Sequence, residues 1–167
     1  MKKGFKPIHN NSAKILILGT FPSEKSLKEK EYYADGRNKF WEILFKVFHE
    51  TPSSIYEEKK SLLLNNKLAL WDVLGSCERD GSSDSKIKNE KPNNLKQFIN
   101  HHENIRYVFV NSDGALSYYI KYIGFHPKLS VWKLPSPSGA NYAHYSLLDK
   151  IKQWRAVIYE ALSPYGP

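Results

Sequence analysis

Apolar residues along the chain are concentrated in four short runs, of which the first is uninterrupted, and these runs are separated by stretches in which apolar positions recur at helical spacing. The runs cover 15–18, 68–74, 105–110 and 129–134. Short apolar runs are typical of strands that are covered on both faces of a parallel sheet. Because strands and helices alternate along the whole chain, the pattern predicts one α/β domain with a mostly parallel sheet and helices on both of its faces.

The helical stretches carry start signals that place their first turns. Helices are predicted at about 39–48, 57–66, 95–102 and 113–122, and a last one from about 147. Asn93 or Asn94 is expected to cap the third helix, Ser112 or Asp113 the fourth, and Ser146 the last, because short polar side chains accept hydrogen bonds from free first-turn amides. The predicted buried face of the last helix comprises Leu147, Leu148, Ile151, Trp154, Val157 and Ile158.

Two stretches lack any such period. Residues 1–13 are predicted to form an irregular N-terminal arm, and 75–93 contain almost no apolar residue. A structureless segment of that length inside a compact domain is usually functional or disordered. One interpretation is a floppy insertion. The other is a loop lying against a phosphate backbone, to which Arg79, Lys86 and Lys88 would contribute.

Composition narrows the class of protein. A chain of 167 residues suits a single domain with a real core. Its single cysteine, Cys77, excludes an internal disulfide framework and any four-cysteine metal site, which favours a reducing, intracellular compartment. No apolar run approaches the length of a membrane span, so we expect a soluble, cytoplasmic protein that does not bind membranes.

Charge and ring content indicate the kind of partner. The net charge is +8, the pI is near 9.4, and 14% of the residues are aromatic. Such a charge favours a polyanion, nucleic acid before a membrane surface, although surplus lysine can also simply solvate a surface. Most rings are expected in the core, and only those in polar loops are candidates for stacking on bases.

The loop between the first strand and the first helix is rich in rings and polar side chains. In open α/β sheets the loops that leave the carboxyl ends of strands bind ligands, so we expect a site here. Asn38 is either the N-cap of the following helix or a fixed amide that positions a water or a base edge, and the two roles are compatible. Tyr33 is either core packing or a ring presented to a ligand.

The fourth strand also ends in a small-residue loop, PSPSGAN at 135–141, which leads to the last helix. Backbone amides at such turns cradle phosphates, but the composition fits a tight turn equally well. Asp72 ends the second strand at the same edge, where the alternative is a plain turn carboxylate.

No nucleophile triad or metal site can be assembled from the histidines. His144 lies near Ser136 and Ser138 in sequence, but no nucleophile elbow accompanies them. His101 and His102 are adjacent and face different ways, which makes a poor metal chelate, so both are interpreted as structural.

Three blocks of the chain carry a family signature. The first is ILGTFPS at 17–23, with Tyr32-Tyr33 and NKFW at 38–41; the second is WDVL at 71–74, with CER at 77–79 and GSSD at 81–84; the third is LPSPS at 134–138. Together they resemble the uracil-DNA glycosylase superfamily, and most closely its hypoxanthine-DNA glycosylase branch, the DNA-deoxyinosine glycosylases called family 6. The resemblance extends from about residue 14 to 155.

The resemblance implies a fold and a reaction. The fold is a three-layer α/β/α sandwich around a four-stranded parallel sheet. The reaction is base excision from DNA, in which a deaminated base is flipped out of the duplex, stacked on a ring and released by hydrolysis of its N-glycosidic bond. Hypoxanthine is the expected main base, with uracil or xanthine as secondary ones. The implied enzyme is a monomer without metal or cofactor.

Departures from the wider superfamily point to the branch. Relatives carry an asparagine or aspartate where this chain has Phe21, so the usual water-activating side chain is missing. The family 6 branch is similar in that loss, and its catalytic asparagine matches Asn38. The ring five residues earlier, which stacks on the base in related enzymes, is Tyr33. A histidine or asparagine is common where Ser136 stands, and Tyr142 is a candidate to intercalate in place of a leucine wedge.

These arguments define a candidate set. Asn38 is the catalytic candidate, and because an amide cannot take a proton at neutral pH, it is expected to orient water. The base-binding candidates are Gly19, Thr20, Phe21, Pro22, Tyr33, Phe40 and Ser136. The DNA-binding candidates are Ser23, Lys25, Arg37, Arg79, Lys86, Pro137, Ser138, Gly139, Asn141 and Tyr142.

Two rival hypotheses belong to other classes. The substitutions at Phe21 and Ser136 fit a non-catalytic nucleic-acid binder that kept the fold. A hydrolase of small free nucleotides is the third hypothesis, which the basic charge disfavours.

Overall fold

The computed structural model describes residues 1–139 and 146–164. In chain order its elements are β1 Lys2–Lys3, β2 Ile15–Gly19, α1 Glu24–Glu29, α2 Phe40–Val47, α3 Tyr56–Asn65, β3 Leu68–Asp72, β4 Leu74–Glu78, a 3-10 turn at Asp84–Lys86, β5 Lys88–Pro92, α4 Leu95–His101, β6 Tyr107–Val110, α5 Asp113–Tyr122, β7 Ser130–Lys133 and α6 Leu147–Leu162. Within the described ranges, no helix is both long and apolar enough to cross a bilayer.

The central sheet has four strands in the order β3-β2-β6-β7. Every neighbouring pair is parallel. The carboxyl ends of all four strands therefore lie along one edge of the sheet. This confirms the predicted parallel sheet, although β3 ends at Asp72, two residues before the predicted end, because the chain turns there to begin β4.

Helices cover both faces of this sheet and enclose two cores. Ile15 and Ile17 of β2 pack in the cluster that includes α2, α3 and α6. Leu16 and Leu18 pack in the cluster that includes α4 and α5. Successive side chains of a strand point to opposite faces, so one buried strand contributes to both cores. The three-layer α/β/α architecture implied by the resemblance is confirmed.

The segment 75–93 is ordered, so the prediction of a structureless loop there is wrong. β4 and β5 pair antiparallel, and β1 pairs with the other edge of β4. Backbone hydrogen bonds hold this second sheet, and β5 leaves most of its side chains exposed, which explains why no apolar period marked it. The arm at 1–13 is also not irregular throughout, because it contains β1 and a bridge from Ile8 to Leu70.

Most predicted helix starts are confirmed by their hydrogen bonds. Asn94, Ser112 and Ser146 each accept a hydrogen bond from the backbone amide three positions later. Asn93, the alternative cap, instead donates to the backbone carbonyl at the end of β3. Leu148 is 59% exposed, so its predicted place on the buried face of α6 is wrong.

The loop before the first predicted helix contains a short helix that the apolar pattern did not indicate. This helix, α1, is polar along most of its length. Ser23 begins it by accepting a hydrogen bond from the amide of Ser26. The helix shortens the irregular part of the loop and brings the segment around Tyr33 back over the edge of the sheet.

Candidate functional site

A cavity of about 970 Å³ opens at the carboxyl edge of the central sheet. The ends of β2 and β3 and the residue after β6 contribute Gly19, Asp72 and Asn111 to it. Its walls come from the loop after β2, from the segment 32–39, from 82–84 and from the loop 136–139. Segments that are far apart in sequence, the first loop and the proline-serine loop among them, are therefore brought together at one place.

Tyr33 is held in a fixed orientation on one wall. Its φ of 53° is a left-handed conformation that costs a non-glycine residue about 1 kcal/mol or more. The ring stacks on Phe40, with centroids 3.9 Å apart and planes 16° apart. The phenol oxygen accepts a hydrogen bond from Asn111 Nδ2 at 2.6 Å. Burial, and secondly the Asp72 carboxylate, raise the pKa of Tyr33, so the phenol stays neutral. These contacts offset the backbone strain and orient the ring.

Phe40 supports this ring from behind. It is fully buried, and its ring also meets Trp41 and Trp154 edge to face at 4.9 and 5.8 Å. Phe40 does not line the cavity. The prediction that Phe40 contacts the base is wrong, because a side chain enclosed on all sides cannot touch a ligand there. Its contribution is to hold Tyr33.

Gly19 is required by two polar groups that converge on it. A Cβ at this position would lie 2.7 Å from Asp72 Oδ1 and 2.8 Å from the Tyr33 hydroxyl oxygen. Both distances are shorter than carbon and oxygen atoms tolerate without contact strain. The absence of a side chain at Gly19 therefore lets Asp72 and Tyr33 close over the end of β2.

Asn38 makes the capping contact that its sequence position predicts, and it also lies at the cavity. Its side-chain Oδ1 accepts a hydrogen bond from the backbone N–H of Phe40 at 2.9 Å, and its backbone N–H donates to the carbonyl of Asp35. The formal N-cap of α2 is Lys39, whose side chain makes no capping bond. Asn38 thus performs the capping contact and also lines the cavity. Among residues 1–139 and 146–164, no other hydrogen bond engages the Asn38 side chain, so a second lone pair on Oδ1 and the Nδ2 group can bind a small polar molecule.

Thr20, Asp84 and Ser112 join three segments beside the floor. Thr20 Oγ1 donates to Asp84 Oδ2 at 2.8 Å and lies 3.2 Å from Ser112 Oγ. Gly114 leaves the space for Asp84, since a Cβ there would collide with that carboxylate. Burial raises the pKa of Asp84, while the hydrogen bond from Thr20 lowers it. The network ties the hairpin formed by β4 and β5, residues 74–92, to the central sheet.

Asp72 and Asn111 are polar groups on the cavity floor, and neither is marked strongly by the pattern of the sequence. Asp72 is 5% exposed, and Asn111 is 4% exposed. Burial, and secondly the nearby carboxylate of Asp84, raise the pKa of Asp72 to about 7, while the positive charge of Arg79 partly lowers this pKa. Asp72 lies at the cavity, so it is not a plain turn carboxylate. Asn111 is a floor residue that the sequence analysis does not predict, although a polar residue directly after a strand of the parallel sheet is a signal for one.

Arg79 does not face solvent, so the prediction that it contacts DNA phosphates is wrong. Its side chain is enclosed, with 5% of the residue exposed. Nε donates to the carbonyl of Gly81, one Nη donates to the carbonyl of Pro22 at 2.6 Å, and the guanidinium lies 5.2 Å from the Phe21 ring centroid. Arg79 clamps the hairpin onto the loop after β2. Phe21 and Pro22 are themselves mostly buried and contribute to the cavity wall.

The proline-serine loop has its carbonyl groups fixed from the rear. Trp154 Nε1 donates to the carbonyl of Pro135, the Lys39 amide to that of Pro137, and Lys150 Nζ to that of Ser138. In a trans peptide the amide N–H points opposite to the carbonyl, and the described chain has no cis bond. The amides that follow, of Ser136, Ser138 and Gly139, therefore point away from these donors.

Within that loop, the Ser138 amide donates to Ser136 Oγ at 3.2 Å. Ser136, Pro137, Ser138 and Gly139 all line the cavity. The candidates Asn141 and Tyr142, like His144, lie outside the described residues.

The remaining cationic candidates lie on the surface around the opening or beyond it. Arg37 is on the rim, with 89% of its side chain exposed, and it pairs with Asp35 at 2.8 Å. Lys25 is exposed on α1, 4.0 Å from Glu29. Lys86 is exposed on the 3-10 turn and does not line the cavity. Ser23 lies at the cavity wall as the cap of α1.

The two histidines interpreted as structural lie away from the cavity. His102 Nδ1 bonds the carbonyl of Phe98 at 2.7 Å, and its Nε2 lies 2.8 Å from His9 Nδ1. The contact between His9 and His102 attaches the N-terminal arm to the end of α4.

Known proteins similar to this chain give the geometry a family context. The family model described as the uracil DNA glycosylase superfamily matches residues 7–163. A protein of Methanosarcina acetivorans named hypoxanthine DNA glycosylase is 32% identical over 160 residues, which cover 94% of this chain and 98% of that protein. A protein of the same name from Methanosarcina barkeri is 34% identical over 143 residues, which cover 84% of this chain and 88% of that one.

The fold is also similar to a solved structure. A solution NMR structure from Methanosarcina acetivorans, of a protein named as a candidate uracil DNA glycosylase, superimposes with a TM-score of 0.81 at 30% identity. The match covers 97% of this chain and 99% of that protein. Fold, sequence and the position of the cavity agree, and the chain belongs to the uracil DNA glycosylase superfamily.

Proposed function

We propose that this protein is a monofunctional DNA glycosylase that removes deaminated bases, primarily hypoxanthine from deoxyinosine, with uracil or xanthine as secondary bases. The names of the two Methanosarcina relatives support the reaction class. The observation that carries the proposal is the cavity in which the fixed ring of Tyr33 adjoins a polar floor. A base inside a duplex cannot reach such a cavity, so the target nucleotide is flipped out.

Tyr33 stacks on the flipped base in this proposal. Because Phe40 and Asn111 already hold the ring, little conformational entropy is lost when a base arrives. Stacking of a base on an aromatic side chain contributes about 1–3 kcal/mol. Thr20 and Ser112 add hydroxyl oxygens near the floor that can accept from the base edge, since the Thr20 proton goes to Asp84 and the Ser112 proton to Thr20.

Asn38 positions the attacking water. Its amide is fixed by the bond to the Phe40 backbone, so its remaining lone pair and its Nδ2 group have defined directions. An amide does not accept a proton at neutral pH, and Asn38 therefore orients the water without deprotonating it. Bond cleavage then depends on a purine that leaves readily, which favours hypoxanthine over thymine.

Surface charge and the proline-serine loop hold the DNA backbone. Lys25, Arg37 and Lys86 are exposed, and the amides of Ser136 and Gly139 point away from the donors that fix the carbonyls of Pro135 and Ser138. Phosphate contacts of these two kinds set the register of a nucleic acid without reading its sequence. Arg79 acts indirectly, by holding the loop that contains Phe21 and Pro22.

Base release from an end-labelled deoxyinosine duplex, followed by cleavage of abasic sites with hot alkali, tests the proposal. The wild type should yield product, while Asn38→Ala should retain duplex binding and lose at least about a hundredfold in the single-turnover rate. Asn104→Ala is the matched control, because Asn104 is exposed and precedes β6 at the opposite edge of the sheet. Full activity of Asn38→Ala would remove Asn38 from the reaction.

A non-catalytic nucleic-acid binder remains the second candidate function. The observation that favours it is Phe21, which is mostly buried and brings no water-activating group to the end of β2. The same assay separates the two functions, since a binder would shift the duplex in a gel and yield no alkali-cleaved product.

A further inference from the structure

Two carboxyl groups lie at the floor of the cavity, and the steps described so far use neither. Asp72 ends β3 and is 5% exposed. Its Oδ2 is buried and has no hydrogen-bond partner among residues 1–139 and 146–164. Asp72 also takes part in no ion pair in that part of the chain. A buried ionised carboxylate without a donor is costly, so the site favours a neutral Asp72 until a ligand supplies a partner.

The surroundings of Asp72 act in the same direction. Asp84 approaches from the 3-10 turn and keeps its own bond from Thr20. Burial and the charge of Asp84 raise the pKa of Asp72 to about 7, and Arg79 partly opposes them. Tyr32 and Tyr33, the other titratable groups nearby, have raised pKa values, chiefly because they are buried, and stay neutral. A carboxyl that changes charge near neutrality therefore lines a cavity for a neutral ligand.

We propose that Asp72, in its protonated form, reads the lactam edge of the flipped base. The O–H of Asp72 donates to the carbonyl oxygen of the base, and its C=O accepts from the adjacent ring N–H. A neutral carboxyl offers one donor and one acceptor side by side, whereas a carboxylate offers acceptors only and opposes the base oxygen with like charge. Hypoxanthine, xanthine and uracil share this edge. The inference rests on the proposed glycosylase function and adds a residue that selects the ligand.

Position distinguishes this role from activation of water. Asp72 is at the floor, where its carboxyl group and the Tyr33 hydroxyl both approach Gly19. Asn111 donates a hydrogen bond to that hydroxyl. Asn38 lies at the start of α2, on the wall. The edge of a flipped base enters deeper than its sugar, so the floor meets the base and the wall meets the glycosidic bond. Activation of water by an ionised Asp72 would give the opposite dependence on pH.

The test is the pH profile of kcat/KM for hypoxanthine release between about pH 5.5 and 8.5, since this parameter reports the free enzyme and the free substrate, and the ring N–H of deoxyinosine loses its own proton only above this range. Wild-type activity should fall above about pH 7, with a slope that approaches about tenfold per pH unit as Asp72 loses its proton. Asp72→Asn carries one donor and one acceptor at every pH. It should show no falling limb in this range and should exceed the wild type at about pH 8.5.

Asp84→Asn provides a second, independent variant. Its side chain can still accept the hydrogen bond from Thr20, but the negative charge beside Asp72 is gone. Loss of that charge lowers the pKa of Asp72, so the falling limb should move to lower pH. Thermal unfolding at each pH establishes which variants are folded.

Each outcome decides the matter. A wild-type rate that rises through pH 7, with Asp72→Asn inactive throughout, overturns the proposal in favour of an ionised Asp72. The proposal is also overturned if the falling limb of the wild type persists in Asp72→Asn, or if Asp84→Asn leaves that limb at the same pH. If Asp72→Asn does not fold, the result with Asp84→Asn alone decides. A wild type that releases no base at any pH defeats the glycosylase function and this inference with it, whereas a flat wild-type profile defeats only the role of Asp72.

Discussion

The substitution Gly19→Ala tests whether the close approach at the end of β2 orders the cavity. The added Cβ would lie 2.7 Å from Asp72 Oδ1 and 2.8 Å from the Tyr33 hydroxyl oxygen, against at least 3.4 Å for ordinary contact. Asp72 must therefore withdraw by roughly 0.7 Å and the Tyr33 hydroxyl by roughly 0.6 Å. Such overpacking typically costs about 1–3 kcal/mol of stability.

The effect on activity should be larger than the effect on folding. Tyr33 is held by a stack on Phe40 and a bond from Asn111, so a shift of its hydroxyl disturbs the orientation of the whole ring. Misplacement of a binding group by about 1 Å can cost about a hundredfold in rate. We expect Gly19→Ala to lose about ten- to a hundredfold in base release while it remains folded at 25 °C.

Gly36→Ala is the matched control for Gly19→Ala. Gly36 also lines the cavity, but a Cβ there meets nothing within 4 Å. Urea unfolding and single-turnover base release, measured on both variants, separate stability from activity. The reasoning is refuted if Gly19→Ala keeps wild-type activity, or if Gly36→Ala loses as much.

Further predictions concern residues around the cavity. Arg79→Met should destabilise the protein by about 2–4 kcal/mol in urea unfolding, because the carbonyls of Pro22 and Gly81 lose buried charged donors; an unchanged midpoint would contradict the clamp. The same variant should leave the salt dependence of duplex binding unaltered, whereas Arg37→Gln should reduce the slope of log K against log salt by about 0.9 if Arg37 contacts one phosphate. Because the folded-state pKa of Asp72 is raised to about 7, the folded state binds the proton more tightly than the unfolded chain, so wild-type stability should fall as pH rises from about 4 to about 7. Asp72→Asn should lack that contribution, which chemical unfolding across this pH range will measure.

The alternation of apolar runs and helical stretches was sufficient to predict the central architecture. β2 is buried along its whole length and β6 likewise, so their residues are apolar without interruption. Helix starts were also local, since Asn94, Ser112 and Ser146 each cap through a hydrogen bond spanning three residues. Such contacts depend on neighbours in sequence, and a pattern read along the chain therefore detects them.

The second sheet could not be inferred in the same way. β5 has the sequence KNEKP and exposes most of its side chains. Its stability comes from backbone pairing with β4 and from Arg79, which donates to the carbonyl of Pro22 on another loop. Backbone hydrogen bonds are available to every sequence, so they leave no mark on the pattern of apolar positions.

For the candidate site, the sequence by itself determined which loops meet and which chemistry they carry. Parallel strands place the loop of Tyr33 and Asn38 at the same edge as the proline-serine loop, whatever the details of packing. What only the tertiary structure decided is which side chains face the cavity. Phe40 and Arg79 turned out to be enclosed supports, while Asp72 is a buried carboxyl on the floor. Burial and the proximity of groups distant in sequence decide both outcomes, and neither is a property of a residue and its neighbours along the chain.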